Sequence, residues 1–250
     1  MLVALVVVIP RTPGWDRVRA SFFDREIFVE TFPKLLDAFV LDLQILAWSA
    51  PAIFVLSILL ALARGVRSPA LFPLRAFGAI YVDVFRGIPV ILVITLIGFG
   101  VPTGLGLPRP WNSPLLWGSV ALILSYSAYV AEVIRAGIDS VHESQRAAAR
   151  SLGMTSTQTM RSIVLPQALR RVVPPLMNSF ISLQKDVALV SLLGPVEVLR
   201  RANIEQARLF NFTPYVGAAV IFLSITIPAT RLADHLMARQ RRRTGGTTVG

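Results

Sequence analysis

Residues 39–63 read FVLDLQILAWSAPAIFVLSILLALA and are followed at once by Arg64. A helix needs about 20 mostly apolar residues to cross the hydrocarbon of a bilayer. This run supplies them with Asp42 as its one charge, so it reads as a membrane span. Four further windows read the same way. They are Phe77–Gly100, Leu115–Ile134 followed by Arg135, Pro174–Val196 interrupted by Gln184, Lys185 and Asp186, and Pro214–Ala233 followed by Arg239, Arg241, Arg242 and Arg243. The sequence therefore predicts an all-α integral membrane protein with five transmembrane helices. Met1–Pro10 is apolar but too short to span, and it lacks a basic leader and a small-residue cleavage site. It reads either as an interfacial or frayed terminus or as the end of a sixth helix truncated at its start.

Bulk composition agrees with a membrane protein. The chain has 250 residues, of which 54% are hydrophobic and 16% charged, and its mean hydropathy is +0.64. A soluble chain carries about 25% charged residues. The net charge of +11 is almost wholly arginine, since only Lys34 and Lys185 are lysines. Nucleic acid would suit a basic chain, but many of these arginines flank apolar windows, where they hold loops on the cytoplasmic side. Nucleic acid is therefore excluded as a partner, and the lipid bilayer takes its place. The absence of cysteine removes thiol chemistry and cysteine-ligated metals. His142 and His235 lie too far apart to give a metal-ligand spacing, so neither a metal nor a cofactor is expected.

The basic flanks set an expected orientation. With the tail inside, the loops Arg64–Arg75 and Asp139–Arg171 are also inside, and both are basic. The amino terminus is then outside, unless a helix is missing upstream. Arg200, Arg201 and Arg208 in the 197–213 loop weaken the contrast.

Asp139–Arg171 is polar but patterned. Ser140–Leu152 contains no helix breaker and places Val141, Ala148 and Leu152 near one face, with Arg146 and Arg150 as an i,i+4 basic pair elsewhere. Gly153 is suited to end that helix, because glycine tolerates a left-handed backbone. Thr155 or Ser156 is positioned to cap a second helix, Thr157–Leu165, which Pro166 then interrupts. The alanines Ala147, Ala148 and Ala149 would let a partner approach the first helix closely.

Several segments together resemble the permease signature of bacterial ABC importers, most closely the polar amino acid branch. These are AYVAEVIR at 128–135, Gln145, AARSLG at 148–153, IVLPQA at 163–168, Pro174, Pro175, Asn178, KDVAL at 185–189 and Ser191. YVDVFRGIP at 81–89 is similar to that branch's second-helix motif. The resemblance implies a binding-protein-dependent permease domain over 36–236, preceded by an amino-terminal segment 1–35 and followed by a basic cytoplasmic tail 237–250. It also implies a cytoplasmic coupling helix between the third and fourth spans. Its implied contacts with the ATPase are Ser144, Gln145, Ala147, Ala148, Ala149, Leu152 and Gly153. The implied partners are a cytoplasmic ABC ATPase dimer, an extracytoplasmic solute-binding protein, and a second permease subunit that is either a copy of this chain or a relative. The site of action would be the bacterial inner membrane. The chain itself would not be an enzyme, since ATP hydrolysis would belong to the partner. Two departures stand out: Ala147 occupies a position usually held by glutamate, and Ser144 one usually held by glycine. Arg146 and Arg150 would then be available to acidic groups on the ATPase.

Other polar residues have structural and functional readings side by side. An unpaired carboxylate in lipid is costly, so Glu132 should pair, with Arg135 or Arg86 in reach. Arg86, Gly87 and Pro89 look like a hinge. Leu165 and Pro166 belong to the structural motif. Asn178, Gln184, Lys185 and Asp186 are the candidates for the translocation path, with helix-to-helix anchoring as the alternative. Asp42 and Gln44 fall near the outer end of the first span, where snorkelling or loop contacts would explain them. An intramembrane protease is disfavoured, because no serine–histidine or paired-aspartate arrangement lies on the spans.

Overall fold

The computed structural model describes residues 14–66 and 68–244, with side chains as far as 238. Met1–Pro10, Arg67 and the side chains of the Arg239–Arg243 cluster lie outside the described residues. The described chain is helical, as the bilayer demands: without water, every backbone N–H and C=O must be satisfied within its own segment.

The elements follow one another as α1 (Trp15–Phe22), α2 (Arg25–Gly65), α3 (Phe72–Gly87), α4 (Val90–Thr95), α5 (Val101–Gly104), α6 (Pro114–Asp139), α7 (Glu143–Ser151), α8 (Ser156–Thr159), α9 (Leu165–Asp186), α10 (Val198–Leu209) and α11 (Thr213–Thr244). Among the described residues four helical stretches are long and apolar enough to cross a membrane, and there are five if one bent pair counts as a span. α2 is capped by Asp24, whose side chain accepts from the N–H groups of Glu26 and Ile27. It runs on for 41 residues through Pro33 and Pro51, without a break at residue 35. At 1.5 Å per residue such a helix is about 60 Å long, roughly twice the hydrocarbon thickness. α11 likewise continues past 237 to Thr244.

The second window is not one straight span. α3 ends at Gly87 and α4 begins after Pro89, and the two arms are bent by 105°. Proline forces the residue before it out of the helical region, and Ile88 has φ −97° and ψ 130°. A π turn at Leu96–Gly100 then leads into α5.

The fourth span also differs from its window. Thr155 caps α8 in a full capping box with Gln158. The helix then passes through a π turn at Met160–Val164 into α9 and a 3-10 segment, Val187–Leu193, so that Ser156–Leu193 forms one stretch. Pro166 does not interrupt it. The widened turn just before the proline relieves the contact its ring would otherwise make with the carbonyl one turn back.

The 197–213 segment is another correction, since it contains α10. Glu197 caps it by accepting from Leu199 N–H (2.8 Å) and Arg200 N–H (2.6 Å). Asp42 Oδ2 accepts from Val198 N–H at 3.1 Å. Asp42 is thus a buried partner of that helix end and does not snorkel. Both carboxylates sit where helix amides gather positive potential. Burial pushes the Glu197 carboxyl above its ordinary range.

The core forms where α6 meets α2, α9 and the 3-10 segment, around Ile45, Leu122, Tyr126, Leu183 and Val190. Glycines allow this approach. A Cβ on Gly137 of α6 would stand 2.0 Å from Val172 Cγ2 of α9, and one on Gly118 would stand 2.6 Å from Val190 Cγ1. Valine is stiff at χ1 and cannot swing aside.

Gly137→Ala should therefore lower the apparent thermal midpoint, corresponding to about 1–3 kcal/mol of overpacking. Val172→Ala in the same chain should recover part of that loss. Tryptophan fluorescence during heating in detergent measures both.

Candidate functional site

One end of the bundle carries the loop between α6 and α9. α7 begins at Glu143, three residues later than the sequence pattern implies, because His142 is its N-cap. His142 Nδ1 accepts from Ser144 N–H at 3.2 Å and lies 2.7 Å from Ser144 Oγ. The helix closes on Gly153 at φ +80°. Gly153 N–H donates to the Arg150 carbonyl (2.9 Å) and Met154 N–H to the Ala149 carbonyl (3.1 Å). These two bonds make a complete Schellman closure. No atom lies within 4 Å of a Cβ built on Gly153, so φ alone restricts this position to glycine.

The exposed surface of α7 carries Ser144, Gln145, Ala147 and Ala148 beside Ser151 and the paired Glu143 and Arg150, with Leu152 beyond it at 82% exposure. Ala149 belongs elsewhere. It is buried, along with Val141, because α7 packs against α8 and the π turn that follows it. The face drawn from sequence, Val141 with Ala148 and Leu152, is therefore split between inside and outside. Starting the helix at Glu143 rather than Ser140 takes Val141 off it.

The arginines of this loop are also engaged within the chain. Arg150 Nη2 donates to Glu143 Oε1 at 3.0 Å. Arg146 donates to the Ile138 carbonyl at 2.6 Å and lies 3.9 Å from Glu143. Glu143 thus answers both cations, which the sequence reading had left to a partner. Further ties join the loop to the spans. Gln167 Nε2 donates to Gln145 Oε1 at 2.7 Å, and Arg171 donates to the Ser140 carbonyl. The loop is thus hydrogen-bonded to both α6 and α9.

Nearby, Glu132 gathers charge from two other helices. Arg64 Nη1 of α2 donates to it at 2.6 Å, and Arg86 of α3 lies at 3.7 Å. Arg135 is not its partner, because it pairs with Asp139 at 3.3 Å, one turn along α6. Sequence reasoning missed Arg64. The available signal was a basic residue placed directly after an apolar window. Gly87 and Pro89 stand at the α3–α4 break, and the Tyr129 hydroxyl donates to the Arg86 carbonyl at 3.4 Å.

The polar residues of α9 separate by face. Asn178, Ser182 and Lys185, at spacings i, i+4 and i+7, are exposed along one side. Leu165, Leu169, Val173 and Phe180 are exposed on another. Pro166 is exposed as well. Gln184 does not join the polar face. It is buried against α11, where Thr226 Oγ1 donates to its Oε1 at 3.2 Å. Asp186 accepts from the Tyr126 hydroxyl of α6 at 2.7 Å. Tyr126 also lines an apolar cleft, together with Ile53, Val130, Leu176, Phe180 and Leu183. Among the described residues there is no group of three or more His, Cys, Asp or Glu that could hold a metal ion.

Comparison with known proteins gives consistent results. The family model for the binding-protein-dependent transport system inner membrane component matches residues 27–242. The Bacillus subtilis (strain 168) protein named "Probable glutamine ABC transporter permease protein GlnM" is 34% identical over 215 residues, covering 85% of this chain and 96% of the relative. The arginine transport system permease protein ArtQ of the same organism is 32% identical over 204 residues, covering 81% and 90%. A crystal structure of an amino acid ABC transporter with histidines superposes with a TM-score of 0.78 at 32% identity, over 88% of this chain and 98% of that one. An inward-facing MetNI methionine ABC transporter structure shares the fold, with a TM-score of 0.64 at 19% identity, over 82% and 95% of the two chains.

Glu132→Gln should destabilise the fold more than Arg86→Ala, because it strands the nearly buried Arg64 guanidinium. Glu132 keeps a third of its side chain exposed. Screening then limits the loss to about 1–3 kcal/mol, below that of a fully buried broken pair. Thermal midpoints of the two variants in detergent give the ranking.

Proposed function

The chain belongs to the binding-protein-dependent transport system inner membrane component family, and from that premise we propose that it is the permease subunit of an ATP-driven importer for polar amino acids. It is a transport subunit and not an enzyme. A second permease subunit completes the translocation path, a solute-binding protein delivers the solute from outside, and an ABC ATPase dimer docks on the cytoplasmic face. The carboxyl-terminal end of α11 and the α7 loop face the cytoplasm.

The observation that carries this reading is the α7 corner. It is a short, largely exposed helix with three consecutive alanines, closed by a glycine held at φ +80°, and its loop is hydrogen-bonded to both flanking spans. Such an element couples well because it transmits displacement without deforming. When ATP draws the ATPase subunits together, a partner seated on Ser144, Ala147, Ala148, Leu152 and Gly153 moves α7 as one piece. Ala149 supports that surface from beneath. The displacement passes through Arg146 into the end of α6 and through Gln145 and Arg171 into α9. α9 in turn carries the exposed polar row of Asn178, Ser182 and Lys185. An unpaired charge is costly against lipid, which supports reading that row as the lining of a wet path shared with the second subunit. The α3–α4 break at Gly87–Pro89 gives the moving arms a bend. The amino acid class of the solute is supported by the names of the relatives and by the 32%-identical structure. A permease for another small polar solute is the alternative reading.

Co-expression with the ATPase of the same transporter, followed by purification in detergent, tests the docking site. Gly153→Val should fold and insert, because a Cβ there meets nothing. Yet β-branched residues resist a left-handed backbone, so the corner must open and ATPase recovery should fall at least about fivefold, the loss of roughly 1 kcal/mol of binding. Equal recovery would exclude this corner as the dock.

A further inference from the structure

At the opposite end of the bundle, Phe210 closes α10 with φ 49° and ψ 37°, the only positive φ outside glycine among the described residues. A left-handed backbone crowds Cβ against the next carbonyl, which is why glycine or asparagine usually ends a helix this way. The same residue is 90% exposed. A phenyl ring thus stands in the open on a backbone that disfavours it.

The turn that holds it is rigid. Phe212 N–H donates to the Ser21 carbonyl (2.7 Å), and Asn211 Nδ2 donates to the Ala20 carbonyl (2.8 Å). Asp24 N–H donates to Thr213 Oγ1 (3.1 Å), and Phe22 stacks on Phe212 with centroids 5.0 Å apart. Every flank of Phe210 is pinned to α1 or to the start of α2, and its own ring is left free.

The turn is flanked by exposed aromatics, Phe22 and Phe212, and by a cluster of ion pairs. Glu30 and Lys34 of α2 pair with Arg208 and Glu205 of α10, and this ionic group lies between the tip and the apolar reach of α2. The ring therefore stands beyond the hydrocarbon. A lipid contact would also require neither a fixed turn nor a left-handed residue, since aromatic belts form on ordinary helix ends. Rigid, exposed aromatics with little entropy left to lose are instead typical anchors of protein–protein contacts.

We propose that Phe210 is a docking anchor for the solute-binding protein, seated in a ring-sized apolar pocket on the partner. This rests on the importer reading above, because the turn lies at the end away from α7, with Ser156–Leu193 running between the two.

The test uses the permease–ATPase complex in lipid nanodiscs, titrated with its solute-loaded binding protein while ATP hydrolysis is followed. Asparagine accepts the left-handed backbone, so Phe210→Asn should keep or raise the thermal midpoint. The binding protein needed for half-maximal stimulation should rise about tenfold, as for a lost anchor. Phe210→Trp should restore most of the affinity. Superimposable titrations for Phe210→Asn and the unmodified complex would overturn the proposal and leave the ring as a headgroup contact. An unmodified complex that its binding protein does not stimulate would overturn the importer reading, and this proposal with it.

Discussion

The bundle is organised by the closeness with which α9 and its 3-10 extension approach α6. Gly118 and Gly137 stand near opposite ends of α6, and each receives a valine side chain where a Cβ would be. Between them lies the densest part of the core, with Leu122, Tyr126 and Val130 facing Leu183, Val187 and Val190. Lipid tails are as apolar as these side chains, so hydrophobicity alone does not hold spanning helices together. Close backbone approach through small residues does. Two long segments are thereby packed tightly along their length, and the α7 loop is hydrogen-bonded to both.

Polar groups are arranged around that packing by the cost of leaving a charge without a partner. Glu132 draws Arg64 and Arg86 onto α6 from two other helices. Asp42 and Glu197 bring the start of α10 against α2. Asp186 is held by Tyr126, and Gln184 by Thr226. Lys185, exposed on α9, contrasts with these. The same reasoning applies to the α7 loop. Glu143 is paired with Arg150 and close to Arg146, so the unpaired part of the exposed face is Ser144, Gln145, Ala147, Ala148 and Ser151, with Leu152 projecting beyond it. This fits a chain that has alanine at 147, where the family it resembles has glutamate.

Much of this was legible in the sequence because bilayer thickness and helix chemistry act locally. Apolar windows such as 39–63, the glycine suited to end a loop helix at 153, and the proline break at 89 each depend on a few adjacent residues. The helical class, the approximate spans and the α7 corner followed from them. The sequence pattern erred where a distant contact decided the outcome. Pro166 does not stop a helix whose preceding turn is widened, and the 197–213 segment is a capped helix anchored by an aspartate 155 residues before its cap.

What the sequence determined by itself was therefore that the chain lives in a membrane, is helical, and carries a patterned loop between two spans, since each conclusion rests on composition or on neighbours along the chain. The tertiary structure decided which charges neutralise one another, which face of α7 is open, and which exposed side chains remain without a partner. Those outcomes depend on side chains brought together from helices far apart in sequence, whose approach is set by packing at glycines that no local pattern distinguishes from any other.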